Sequence, residues 1–126
     1  MADYRSIQTK IWGDPWFEEQ SPHGKLLFMF LFTNYRANCI GVYELSLKSM
    51  SEATGIERDE IKGLLNSLEI DEKIMWRDGW VWIVNMRKHQ DTGSPNFKKG
   101  IEYETSRLPD NEVTRKYNQH YYQQIP

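Results

Sequence analysis

The sequence predicts a small α+β fold, and three observations predict it. A cappable apolar run over residues 22–33 reads as a core helix, and apolar residues recur at helical spacing over 47–53 and again over 61–68. An Asp-Gly pair, Asp78-Gly79, joins two β-prone runs, the strongest short hairpin signal a sequence offers. At 126 residues the chain is long enough for one domain with a real core.

The elements follow in order. The segment IWGDPWF at 11–17 is expected to pack across the first helix. That helix starts at Ser21-Pro22, where Ser21 can cap the free amides and Pro22 suits the first helical position, and it runs to about Thr33. Nearly every residue from Leu26 to Phe32 is apolar, which places this helix at the centre of the core. Asn38-Cys39-Ile40-Gly41 interrupts the pattern, and Val42-Tyr43-Glu44-Leu45 alternates as a short strand. From Ser46 the spacing becomes helical through Leu47, Met50 and Ala53, and Thr54-Gly55 ends that helix in a left-handed turn. A third helix follows Ile56, with Ile61, Leu64, Leu65 and Leu68 on its apolar stripe. Arg58, Asp59, Lys62, Asn66 and Glu69 lie on the other side. Ile74-Met75-Trp76 and Trp80 to Val84 then flank Arg77-Asp78-Gly79 as a hairpin. Helix, strand, helix, tight turn, helix, hairpin is the winged helix-turn-helix plan, with the hairpin as its wing.

Past Asn85 the stretch MRKHQDTGSPN carries turn formers and no periodicity, so the ordered core is expected to end there. The expected division is a winged-helix domain over 1–86, a linker or exposed loop over 87–95 and a helical tail over 96–126. Asn96 to Arg107 and Asp110 to Tyr122 read as short helices separated by Leu108-Pro109, with Asp110 as a cap. Their few apolar residues argue against an independent domain. Tyr117 and Tyr121 lie one helical turn apart, as docking onto the domain or pairing with a second copy requires. The rival reading stacks the tail tyrosines on single-stranded bases, with Arg115 and Lys116 holding the backbone.

Sixteen basic and eighteen acidic residues give a net charge of −2, so the whole chain lacks the footprint of a strongly basic nucleic-acid binder, and any DNA binding must be local. Residues 1–85 carry nine basic and thirteen acidic groups, residues 86–126 seven and five. The single cysteine, Cys39, excludes an intramolecular disulfide and any metal-spaced cysteine pair, which fits a reducing compartment, so a cytoplasmic location is expected. The first ten residues lack the apolar core of a signal peptide, and Leu26 to Phe32 is too short to cross a bilayer.

In a winged helix the third helix enters the major groove, so Arg58, Lys62 and Asn66 are the candidates to read bases. Glu57, Asp59, Glu60 and Glu69 share that stretch and repel phosphate, which makes a solvated or protein-binding face the rival reading. Lys48 and Ser49, at the start of the second helix, can touch the DNA backbone, and Arg77 at the wing tip can reach a minor groove or a phosphate. The most basic segment is Arg87, Lys88, His89, Lys98 and Lys99, a candidate for phosphate contact whose bland alternative is a solvated linker. Catalysis is not expected. His23, His89 and His120 lie on different elements, Glu18-Glu19 and Asp59-Glu60 are adjacent and point apart on helices, and no phosphate-cradling glycine loop is present. Cys39 beside Ile40 reads as an inert thiol, and no metal or cofactor is expected.

One set of residues carries a resemblance. It comprises Tyr4-Arg5-Ser6-Ile7, Lys10-Ile11-Trp12, Pro15-Trp16-Phe17, Gly24-Lys25-Leu26-Leu27-Phe28 and Gly41-Val42-Tyr43. It continues with Thr54-Gly55-Ile56, Leu64 to Leu68, Gly79 to Asn85 and Lys88-His89-Gln90. Over residues 4–99 the chain resembles the amino-terminal domain of phage replication-initiation proteins, the DnaD-like replisome organisers. The resemblance implies a role in starting DNA replication on a phage or prophage genome. That role would run through binding of duplex or single-stranded DNA, homo-oligomer formation, or contacts with helicase-loading and other replication proteins. It does not extend to the second domain that full-length organisers carry. Two functions therefore stand as expectations: a DNA-binding winged helix, or a winged helix that binds other proteins without strong affinity for DNA.

Overall fold

The computed structural model describes residues 4–123. A 3-10 turn, Thr9–Gly13, leads into the short helix α1, Pro15–Glu18, which Asp14 starts by accepting a hydrogen bond from the Phe17 amide. Helix α2, Pro22–Thr33, begins as its sequence requires: the Ser21 hydroxyl accepts from the Gly24 amide and Pro22 occupies the first turn. Strand β1, Val42–Glu44, follows, and then α3, Leu47–Thr54, is capped by Ser46 and ended by Gly55 at φ 78°. Helix α4 is Arg58–Ile70. Strands β2, Ile74–Arg77, and β3, Trp80–Ile83, are joined by Asp78 and Gly79 at φ 51° and 83°, the two positive values that a tight hairpin turn of matching twist demands. Helices α5, Met86–Gln90, α6, Pro95–Ser106, and α7, Glu112–Tyr122, complete the described chain.

The three strands form one antiparallel sheet in the order β1-β3-β2, with Val42 opposite Trp82 and Met75 opposite Trp82 on the other side. Side chains alternate across this sheet, and both of its faces are covered. Tyr43, Val81, Ile83 and Ile74 join Leu27, Phe28, Leu31, Met50, Ile61 and Leu68 of the helices in the larger core. Val42 and Trp82, from the other face, join Ile40, Ile101, Val113 and Tyr117 in a second core. Burial on both faces is the reason the run Trp80-Val81-Trp82-Ile83 is continuously apolar instead of alternating. The segment 11–17 packs across α2, with Trp16 edge-on to Phe28 at 5.0 Å and Phe17 6.2 Å from it. A buried polar knot ties the end of α2 to β1: Asn34 donates to Phe30 O at 2.9 Å and to the Tyr43 hydroxyl at 2.8 Å, while Tyr43 donates to Leu31 O.

Two expectations are corrected, and the tail takes the docked arrangement that the Tyr117–Tyr121 spacing allows. The ordered core does not end at Asn85. Residues 86–90 form α5, and Met86 is fully buried in the larger core, so the expected linker is half helix. The tail docks on the sheet: α7 packs against all three strands, and Tyr117 is wholly buried against Trp82. The cap of α7 is Asn111, not Asp110. Asn111 accepts from the Thr114 amide and the Thr114 hydroxyl accepts from the Asn111 amide, a reciprocal capping box, while Asp110 pairs with Arg115 at 3.1 Å.

Candidate nucleic-acid interface

Helix α4 buries Ile61, Leu65 and Leu68 and turns Arg58, Lys62 and Asn66 outward. These three follow one another at intervals of four, so they form a single row along the exposed side. The acids beside them are not equal. Glu60 is engaged by His23 of α2 at 2.5 Å, and Glu69 by Arg77, which leaves Glu57 and Asp59 at the amino end, where they complement the helix dipole. Helix α3 packs on α4, and at its start Lys48 is exposed, 4.0 Å from Glu52. Ser49 gives its amide to the Ser46 hydroxyl, so its part in contacting a backbone falls to an exposed hydroxyl already bonded to Ser46.

Arg77 departs from the expected free wing-tip cation. Its guanidinium grips Glu69 with two bonds of 2.6 and 2.7 Å, and Glu112 of α7 lies 3.6 Å from its Nε. Arg77 thereby fastens the hairpin to α4, and a hollow of about 260 Å³ lies where Lys62, Asn66 and Trp76 meet this pair. Hydrogen bonds from Arg77 hold the Glu69 carboxyl below its ordinary pKa. A carboxyl lowered in the folded state contributes stability above its unfolded pKa and loses it as pH falls through the folded value. Glu69→Gln is therefore expected to cost about 1 kcal/mol near pH 7, the scale of a well-formed but solvent-accessible pair, and to flatten the loss of stability below pH 4.5. Urea titrations at pH 7 and pH 3 check both, and an unchanged acid limb in the variant would contradict the assignment.

The basic segment after the hairpin divides in the same way. Lys88, Lys98 and Lys99 are exposed, on α5 and α6. Arg87 is not the free cation expected. It lies half-buried over the Tyr121 ring at 4.0 Å and donates to the hydroxyls of Tyr117 and Tyr122 at 3.1 and 2.9 Å. This is a cation held on an aromatic surface, which makes Arg87 the clasp of the tail. Tyr117, the ring beneath it, is pushed up to about pKa 12 by burial.

A second feature has no counterpart in the sequence reading. Trp16, Phe28, Phe32 and Ile83 form the floor of an open cleft of about 370 Å³, with Lys10, Lys73 and His89 around it. Burial, and after it the charges of Lys10 and Lys88, hold the His89 pKa below its ordinary value. These residues come from four separate stretches of chain, and no local pattern announces them. Among the described residues no group of three His, Cys, Asp or Glu is placed to hold a metal ion, and no helix is long and apolar enough to cross a membrane. Cys39 is half-buried, and burial raises its thiol pKa.

No protein-family model, no curated protein and no solved structure matches this chain.

Proposed function

We propose that the chain is a non-enzymatic winged helix-turn-helix module of a phage or prophage, acting inside the cell in the initiation or organisation of DNA replication, and that α4 is its DNA-reading helix. The observation that carries this reading is the row Arg58, Lys62 and Asn66, exposed on a helix whose other side is buried beneath the sheet and α2. Arg and Lys suit guanine edges and phosphates, and Asn suits adenine, so the row has the donors that groove docking uses. Pairing of Glu69 with Arg77 offsets one of the four carboxylates that would oppose such docking. Lys48 is exposed at the start of α3, which packs on α4, and Lys88, Lys98 and Lys99 are exposed on α5 and α6 as a second set of candidate phosphate contacts.

The rival reading is a protein-interaction module that self-associates or recruits a replication protein. It is favoured by the internal engagement of Arg77 and Arg87, which removes two of the ten candidate DNA contacts.

Paired substitutions test the reading. Arg58→Ala with Lys62→Ala is expected to weaken duplex binding, with a fall of about 1 in the slope of log affinity against log salt for each of the two that contacts a phosphate and a loss of sequence preference for each that contacts a base. Lys98→Ala with Lys99→Ala is expected to weaken binding uniformly across DNA sequences. Wild-type affinity in both doubles, measured by fluorescence anisotropy, would rule out the DNA model.

A further inference from the structure

We infer that the cleft between the amino-terminal turn, α2 and α5 is a docking site for an acidic peptide segment of a partner protein, one that presents a bulky apolar side chain flanked by carboxylates. The cleft measures about 370 Å³, within the range of pockets that enclose a ligand group. Its floor is apolar: Ile11 and Trp16, both half-buried, line it beside the buried side chains of Phe28, Phe32 and Ile83. An aliphatic or aromatic side chain suits such a floor.

The walls are fixed in place. The Trp16 indole N–H donates to Asp71 at 2.8 Å and its ring stands edge-on to Phe28, while His89 stands edge-on to Phe32 at 5.4 Å. The rim is cationic. The Lys73 ammonium lies 4.6 Å over the Trp16 ring, Lys10 is exposed in the same lining, and among the described residues no ion pair engages either lysine. The one carboxylate in the lining, Asp14, accepts from the Phe17 amide at 3.0 Å, and the two ammonium groups outnumber it. Two ammonium groups at an apolar socket complement an apolar side chain flanked by carboxylates, with the anchor supplying affinity and the charges supplying orientation. This site shares no residue with the α4 row, so it stands or falls independently of DNA binding.

The test is a selection of random nine-residue peptides against the immobilised full chain, followed by anisotropy of a fluorescein-labelled selected peptide. Enriched peptides are expected to carry Leu, Ile, Phe or Trp with Asp or Glu on both sides. Lys10→Glu with Lys73→Glu is expected to weaken the selected peptide at least tenfold, with Arg58→Ala/Lys62→Ala leaving it unchanged. Lys10→Gln with Lys73→Gln is expected to give an intermediate loss, and circular dichroism checks that both variants fold. No enrichment, enrichment of peptides without acids, or equal binding by the charge-reversed variant overturns the inference. So does loss of oligothymidine binding or of self-association in that variant without loss of peptide binding, because either result assigns the cleft to single-stranded DNA or to a second copy.

Discussion

Gly41→Ala is expected to destabilise the protein by about 2–5 kcal/mol, a large part of the stability of a domain this size. Two costs combine. Gly41 has φ 71°, a left-handed conformation that costs an L residue about 1–2 kcal/mol. A Cβ there would also stand 2.4 Å from the Met86 Cβ and 2.9 Å from the Ile83 carbonyl oxygen, closer than any relaxed contact. Backbone is pinned on both sides, since the Ile83 amide donates to the Gly41 carbonyl at 2.7 Å. The strands and α5 would have to separate, and overpacking of that kind adds about 1–3 kcal/mol. Gly55→Ala is the control: φ is 78°, but a Cβ meets nothing within 4 Å, so only the conformational cost of about 1 kcal/mol remains. Urea denaturation of both variants reads the difference, and equal losses would contradict the clash.

Tyr117→Ala is expected to cost a similar amount, about 3–5 kcal/mol, and to do so by releasing the tail. Tyr117 is wholly buried, edge-on to Trp82 at 6.1 Å and 5.2 Å from Tyr121, and its hydroxyl meets Thr105 at 2.8 Å and Arg87 at 3.1 Å. It therefore connects α7, α6, α5 and the sheet. Truncation leaves a cavity, exposes Trp82 and frees Arg87, so tryptophan emission is expected to shift to the red and limited proteolysis to cut within 91–112 first. Tyr117→Phe keeps the ring and loses only the hydroxyl, for about 1 kcal/mol. Global unfolding of Tyr117→Ala with no early cleavage of the tail would contradict a separable docking step.

Much of this architecture was legible because its signals are local. Ser21-Pro22, Thr54-Gly55 and Asp78-Gly79 each fix a backbone conformation within a few residues, and the structure has a helix start, a helix stop and a hairpin turn at those places. What was not legible depends on contacts across the chain. Helix α5 has no apolar periodicity of its own. It forms because Met86 fits against Gly41 and Arg87 against the tail tyrosines, partners about 30 residues or more away. Arg77 read as a free cation because its two carboxylates, Glu69 and Glu112, lie on other helices. Asn111 was passed over for Asp110 because both can cap, and only the return bond from Thr114 distinguishes them. The exposed row on α4 was legible from the helical period alone, whereas the cleft of Lys10, Lys73 and His89 was not, since distant segments assemble it.

The proposal that α4 reads DNA is tested most directly by fluorescence anisotropy of labelled duplex DNA titrated with the wild-type protein across a salt series, with the molecular mass determined in the same buffer. Saturable binding that weakens steeply with salt is the expected result, because displacement of counterions by Arg58, Lys62 and the exposed lysines supplies the affinity. Absence of binding at low salt, in a sample that is folded and dimeric or larger, would contradict it and leave the protein-interaction reading in its place.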